Sequence, residues 1–332
     1  MLQYIVKRIL QFIPMVAALS VMIFFIIKLP PGDFLTTYIS RMELAGGEVN
    51  EGMIVSLRRQ YGLDRSDTEQ YFLWMKNILT RGDFGRSFTY DRPVTDLLKE
   101  RAGFTMAISL ITLVVSWGIA IPIGIYSATH KYSIGDNIFT FFGFIGMAVP
   151  GFLLALVLIY LIFVTTGVAF TGMFSPEYAV APWSFAKFLN MLPRMFLCVF
   201  IVGLTGTAQM IRTMRAMTLD ELEKQYVTTA RAKGLEEKKM LVKYPIRMAI
   251  NPQVSTIGWI LPGLISGEVV VSIVLNMPTM GPVMRNAFMN QDMYLAGSMM
   301  LFVAMLTIAG TLISDILLSI LDPRIRFGGV VD

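Results

Sequence analysis

The chain has 332 residues, of which 55% are hydrophobic and 15% charged, against about 25% charged in an ordinary globular domain, and its mean hydropathy is +0.63. A water-soluble domain is excluded, because too few charges remain to coat a surface and the apolar surplus must face lipid. The net charge of +5 does not point to nucleic acid, since the charges lie between apolar runs; one cysteine and one histidine exclude an intrachain disulfide and a Cys/His zinc site.

A hydrocarbon core of about 30 Å needs roughly 20 mostly apolar helical residues. Six stretches qualify: Ile9 to Ile27, Phe104 to Ala128, Ile138 to Val168, Met195 to Ile211, Pro252 to Leu275 and Tyr294 to Leu321. The first follows Lys7 and Arg8 but lacks a small-residue cleavage site, so it is expected to be retained as a span rather than removed as a signal peptide. The third is long enough for its outer end to leave the bilayer. The fold expected is an all-α membrane protein with six transmembrane helices.

Between spans 1 and 2, residues 29–103 read as a folded helical cap. Ser66-Asp67-Thr68-Glu69 is a capping box, and Tyr71, Trp74, Met75, Ile78 and Leu79 after it share one helical face. Gly82 stands where a C-cap glycine belongs, and Gly82 to Ser87 makes a turn. The kinase-like Asp83-Phe84-Gly85 is a coincidence, because no Gly-rich strand loop or His-Arg-Asp accompanies it.

Residues 212–247 carry Arg212, Arg215, Lys224, Arg231, Lys233, Lys238, Lys239, Lys243 and Arg247 against only Asp220, Glu221, Glu223, Glu236 and Glu237. An excess of Lys and Arg in a short loop marks the cytoplasm. By alternation, Lys7, Arg8, Lys131, Arg324 and Arg326 fall on the same side, which puts both termini inside and the cap outside; the cap's own basic residues do not count, since long loops escape the rule. A second capping box, Thr218-Leu219-Asp220-Glu221, opens a helix expected to run to Lys233 and end at Gly234, and a shorter helix over Glu236 to Tyr244 stops at Pro245. Such a basic knob could rest on anionic headgroups. The small and amphipathic residues Tyr226, Thr229, Ala230 and Ala232 suit a protein groove better.

Tyr226-Val227-Thr228-Thr229-Ala230-Arg231-Ala232-Lys233-Gly234-Leu235 resembles the EAA motif of ABC importer permeases. Met1 to Arg8 with Pro14, Pro31-Gly32-Asp33, Tyr61-Gly62-Leu63-Asp64, Gly82 to Ser87 and Leu321-Asp322-Pro323-Arg324 resemble, in order, the B-type permease of oligopeptide, dipeptide and nickel uptake systems. Pro278-Thr279-Met280-Gly281 and Tyr244-Pro245 depart from that family's usual pattern. The resemblance implies a type I importer architecture, with a first helix over 1–28, the cap over 29–103 and a permease core over 104–332. It also implies a C-type permease partner, two ATPase subunits and an extracytoplasmic solute-binding protein in the inner membrane of a prokaryote. Tyr226, Thr229, Ala230, Arg231, Ala232, Lys233, Gly234 and Leu235 are then expected to contact the ATPases. Substrate is expected between the two permeases, along spans 2 to 5 and near Ser266 and Glu268.

No Gly-x-x-x-x-Gly-Lys-Ser/Thr loop occurs, so ATP and its magnesium are expected on the partner subunits and no cofactor, metal or catalytic residue is assigned to this chain. A secondary transporter would bury several ionisable groups in its spans, and only Glu268 and Asp315 lie there, away from mid-span. An intramembrane hydrolase is discounted because His130 has no evident nucleophile beside it. The 24 methionines read as apolar filler rather than soft-metal ligands. A peptide or peptide-like solute is expected, with nickel or an oligosaccharide as alternatives from the family's range.

Overall fold

A computed structural model describes residues 2–29, 35, 39, 44, 51–60, 64–257, 263 and 269–321. Among them the regular structure is helical, and the only β pairing is an isolated bridge between Arg86 and Pro93. Helix α1 runs Leu2–Lys28, α2 Glu51–Gln60, α3 Asp67–Arg81 and α4 Val94–Thr129. A bent pair follows, α5 Ile134–Ala148 and α6 Gly151–Thr166; then come the short α7, Pro176–Ala179, and the long α8, Phe185–Leu222. The knob is α9 Gln225–Ala232, α10 Glu237–Lys243 and α11 Pro245–Ala249, followed by α12 Asn251–Ser255, α13 Met280–Met289 and α14 Met293–Leu321. Among the described residues four helices are long and apolar enough to cross a membrane: α1 from Arg8, α4, α8 and α14.

The third expected span is not one helix. α5 and α6 meet at 101°, because Pro150 offers no amide hydrogen and pushes Val149 into an extended conformation, φ −87° and ψ 120°. Residues 258–262 and 264–268 of the fifth expected span, Ser266 and Glu268 among them, lie outside the described residues, as does the Pro31-Gly32-Asp33 segment. The Thr218 capping box does not form: Thr218 is fully buried inside α8, on a stripe with Met210 and Met214. Burial of that stripe at spacing i, i+4, i+8 carries the helix past the local cap signal. The break comes instead at Glu223 and Lys224, and Lys224 takes the extended N-cap conformation of α9. Pro245 likewise ends α10 but opens α11 from its N1 position, where its missing N–H costs nothing.

The chain divides into two compact units, with boundaries inside α1, α4 and α14. The first comprises Met1–Ile9, Met106–Pro278 and Leu306–Asp332, the second Leu10–Thr105 and Thr279–Met305. In the first unit α5 packs along α8, where the Thr205 hydroxyl donates to the Gly146 carbonyl at 3.0 Å. Arg8 Nε lies 3.3 Å from Asp315 Oδ2, so Asp315 pairs α14 with α1. His130 stacks on Tyr126 with centroids 4.6 Å apart, next to the Thr129 hydroxyl.

In the second unit, Ser66 and Glu69 form the complete capping box, and Gly82 closes α3 in the left-handed region at φ +63°. The expected apolar face of α3 packs through Tyr71, Trp74, Met75 and Ile78 against Phe24, Met293 and Leu301. Leu79 is the exception, 78% exposed; a helical face of five positions over nine residues is wider than the strip that one packing surface covers. A second core gathers Val94, Leu97, Met280, Val283, Leu295 and Met299.

Candidate functional site

The knob is held together by a small core of Val227 and Ala230 from α9 and Met240 from α10, with Leu235, Leu241 and Tyr244 packed against it. Gly234 reverses the chain at φ +75°. Its N–H donates to the Arg231 carbonyl at 2.9 Å, and the Leu235 N–H reaches the Ala230 carbonyl at 3.3 Å. A left-handed residue here costs glycine nothing and other residues about 1–2 kcal/mol. Arg231 grips Glu237 across the turn, Nη2 to Oε1 at 2.7 Å and Nε to Oε2 at 3.2 Å. The Arg231 guanidinium thereby holds the Glu237 carboxyl below the ordinary carboxylate range.

The motif residues sort into two sets. Thr229, Arg231, Ala232, Lys233 and Gly234 are exposed along one ridge, with Tyr226 at its edge. Ala230 is buried and Leu235 half-buried, so these two build the knob rather than its outer surface. The Tyr226 hydroxyl donates to the Glu221 carboxylate at the end of α8, and partial burial together with that carboxylate pushes the phenol above its ordinary range.

Helix α8 feeds this knob. Its 38 residues span about 57 Å at 1.5 Å per residue, well beyond a hydrocarbon core of about 30 Å. Along it, Thr205, Gln209, Met210 and Thr213 line a cavity of about 480 Å³ whose other walls include Ser116 of α4, Gly151 of α6, Gln253 and Thr256 after the knob, and Gly263 and Val271. The described lining offers hydroxyls and carboxamides and no charged group; Met210 is its one thioether. No group of three or more His, Cys, Asp or Glu side chains placed to hold a metal occurs among the described residues. Gln253 Nε2 donates to the Met210 carbonyl at 3.0 Å, tying the segment after the knob back onto α8.

Thr205, Gln209 and Thr213 were not singled out from the sequence. Their signal was there, polar residues every four positions in an apolar run, which places them on one helical face. The pair Asp136–Arg215 also went unnoticed. Asp136 is almost fully buried and accepts both Nε and Nη2 of Arg215 at 2.8 Å, so the guanidinium beside it holds its carboxyl below the ordinary range. The clue was Ser133 three residues before Asp136, since Ser133 Oγ caps α5 by accepting from the Asp136 N–H.

The profile of the family described as binding-protein-dependent transport system inner membrane component matches residues 120–327, and that of its N-terminal domain matches residues 1–110. The oligopeptide transport system permease protein AppB of Bacillus subtilis is 31% identical over 331 residues, covering 98% of this chain and all of that protein. The corresponding OppB of Haemophilus influenzae is 29% identical over 330 residues, with the same coverage of each chain. A knob on the end of a long helix, a cavity along that helix and full-length similarity of this kind lead to one assignment: the chain belongs to the family of binding-protein-dependent transport system inner membrane components, the membrane-spanning permease subunits of ABC transport systems.

Proposed function

We propose that this permease subunit takes up peptides, delivered by an extracytoplasmic binding protein, through a path shared with a C-type permease and driven by two ATPase subunits that bind ATP and magnesium. Six spans put both termini and the knob in the cytoplasm and the cap over 29–103 outside, in the inner membrane of a bacterium. The permease core over 104–332 then carries the transport path. One observation carries the reading: a single helix, α8, bears the cavity wall at Thr205, Gln209 and Thr213 in its second half, and the knob with the exposed residues around Gly234 follows on its C-terminal end. A helix that presents hydroxyls and a carboxamide to a largely apolar cavity and leads into an uncovered protein-like surface can pass an ATPase movement to the solute path. Peptide is favoured over nickel because the described lining supplies amides and hydroxyls, which match peptide groups, and no carboxylate or imidazole. It is favoured over oligosaccharide because the relatives above are named for oligopeptide transport.

Reconstitution of the full complex with its binding protein tests this. Peptide should be accumulated in an ATP-dependent way and should stimulate hydrolysis, while nickel and oligosaccharide should not. Accumulation by this subunit alone, or ATP binding to it, would overturn the reading. Topology is tested separately in a Cys198→Ser background. An impermeant thiol reagent should label Met75→Cys from outside, and Lys224→Cys only after the membrane is opened; the reverse pattern would invert the orientation.

A further inference from the structure

Beside the cavity just described, a second pocket of about 460 Å³ opens between α5 and α8, on the half of α8 that leads to the knob. One end of the groove is polar, with Tyr132, Asn137 and Arg212 at its mouth, and the rest of the wall along α5 is apolar, with Gly143 and the exposed side chains of Phe144 and Met147. Within it, Asp136 is fully engaged by Arg215, so that pair presents little net charge. Arg212, one turn earlier on α8, is exposed and makes no ion pair among the described residues. Lys131, also exposed, stands next to the mouth with its ammonium 5.0 Å from the Tyr132 ring centroid. Tyr132 itself holds a left-handed backbone at φ +63°, fixed by its N–H to Asp136 Oδ2 at 2.9 Å, and its ring stays 75% exposed. A tyrosine held there despite backbone strain is placed for an interfacial contact.

We propose that this groove is a binding site for an anionic phospholipid, with the phosphate on Arg212 and an acyl chain along Gly143, Phe144 and Met147. Charge complementarity selects the head: the only carboxylate in the groove is already neutralised, which leaves an uncompensated cation at the mouth. The exposed apolar wall selects a lipid over a free anion, because phosphate alone would leave that surface bare. Basic pockets between helices on the cytoplasmic side are the sites where anionic headgroups bind in other membrane proteins. The lipid would lie against α8 itself, the helix that leads into the knob.

The test uses the whole transport complex in phosphatidylcholine nanodiscs containing a phosphatidylglycerol with a photoactivatable acyl chain. Adducts should map to residues 139–147 or 205–216 and be displaced by unlabelled phosphatidylglycerol but not by inorganic phosphate. Arg212→Gln should reduce labelling about fivefold, as expected for one basic contact to an anionic lipid. Gly143→Leu should reduce it too, by filling the groove, since a Cβ at Gly143 meets nothing within 4 Å. Lys76→Gln, on α3 of the other unit, should leave labelling unchanged. Equal protection by inorganic phosphate, adducts that form on the partner permease in place of these segments, or unaltered labelling of Arg212→Gln in an assembled complex would each overturn the proposal.

Discussion

Gly82 closes α3 at φ +63° and Gly234 follows α9 at φ +75°, so both units reverse the chain through a left-handed glycine behind a short helix. The residues that follow the first reversal are tied back to their own unit. Trp74 Nε1 donates to the Phe84 carbonyl at 3.1 Å, the Gly85 N–H to Asp83 Oδ1 at 2.9 Å, and the Ser87 hydroxyl and Thr89 N–H both donate to Asp292 Oδ2. A Cβ on Gly85 would meet the Tyr294 side chain at 3.0 Å. A Cβ on Gly234, as on Gly82 itself, would meet nothing within 4 Å, but Arg231, Ala232 and Lys233 beside Gly234 are exposed, whereas the residues after Gly82 are tied back. The first turn is finished by its own unit, whereas the second offers its backbone turn to something outside the chain. A closed turn contributes stability and an open one contributes a surface, so substitutions in the two should fail in different ways.

The largest effect is expected at Gly234. Gly234→Asp forces a left-handed Asp at about 1–2 kcal/mol of local strain, which the core of Val227, Ala230 and Met240 should tolerate. Membrane insertion should be normal, while peptide uptake by the full complex falls to background through failed ATPase docking or uncoupled hydrolysis. Unchanged uptake in a complex of normal composition would return the knob to the simpler role of a basic surface on lipid.

Asp292→Ala should do the opposite, destabilising the second unit without touching ATPase docking. It leaves the Ser87 hydroxyl and the Thr89 and Leu295 amides without their acceptor, at about 2–3 kcal/mol. Hydrogen exchange over residues 84–98 is the readout, and Gly234→Asp should leave it unchanged. Burial pushes the Asp292 carboxyl above its ordinary range against the pull of those donors. A raised folded-state pKa means the native form binds the proton more readily than the unfolded chain. Stability from this group is therefore fully present below the ordinary value of about 3.9 and is lost as pH rises through the raised value. Asp292→Asn, which keeps an acceptor, should flatten that slope.

Ser66→Ala comes next, at about 1 kcal/mol for a lost N-cap. Its effect should stay in the first turn of α3, read as faster exchange at residues 67–70.

How much of this was legible follows from the range of the forces involved. Ser66, Glu69, Gly82 and Gly234 are decided by neighbours within a few residues, and sequence spacing alone places them correctly. Thr218 has an equally good local signal and is overridden, because the stripe Met210, Met214 and Thr218 is buried by segments distant in sequence. The bend at Pro150 is a local rule that a hydropathy window of about 20 residues averages away. In the candidate site, the motif spacing marks the knob. It does not separate exposed Arg231 and Lys233 from buried Ala230, because that division depends on Met240 across the turn. The cavity side chains Gln209 and Gln253 come from segments on either side of the knob, and only folding brings them to one wall.

The smallest effect is also the sharpest probe of the comparison. Arg231 and Glu237 straddle Gly234 with side chains 49% and 54% exposed. An exposed pair is worth about 0.2–1 kcal/mol, so Glu237→Gln should cost the isolated subunit less than about 0.5 kcal/mol. The sign with pH follows from the lowered Glu237 carboxyl. Its contribution is present above the ordinary Glu value near 4.3 and is lost only as pH falls through the lowered value, so neutral pH is the place to measure. If a partner covers the ridge, the pair loses water in the complex and the same substitution weighs more there. Binding of the ATPase subunits should then weaken about two- to fivefold for Glu237→Gln, with a smaller penalty at high salt. The matched control is Asp91→Asn, which removes the somewhat more exposed Arg86–Asp91 pair beside the closed turn at 2.8 Å and should leave that affinity unchanged. Identical affinities for wild type and Glu237→Gln at low salt would mean that the Arg231–Glu237 pair stays wet in the complex, and that ATPase contact runs through Tyr226 and Thr229 instead.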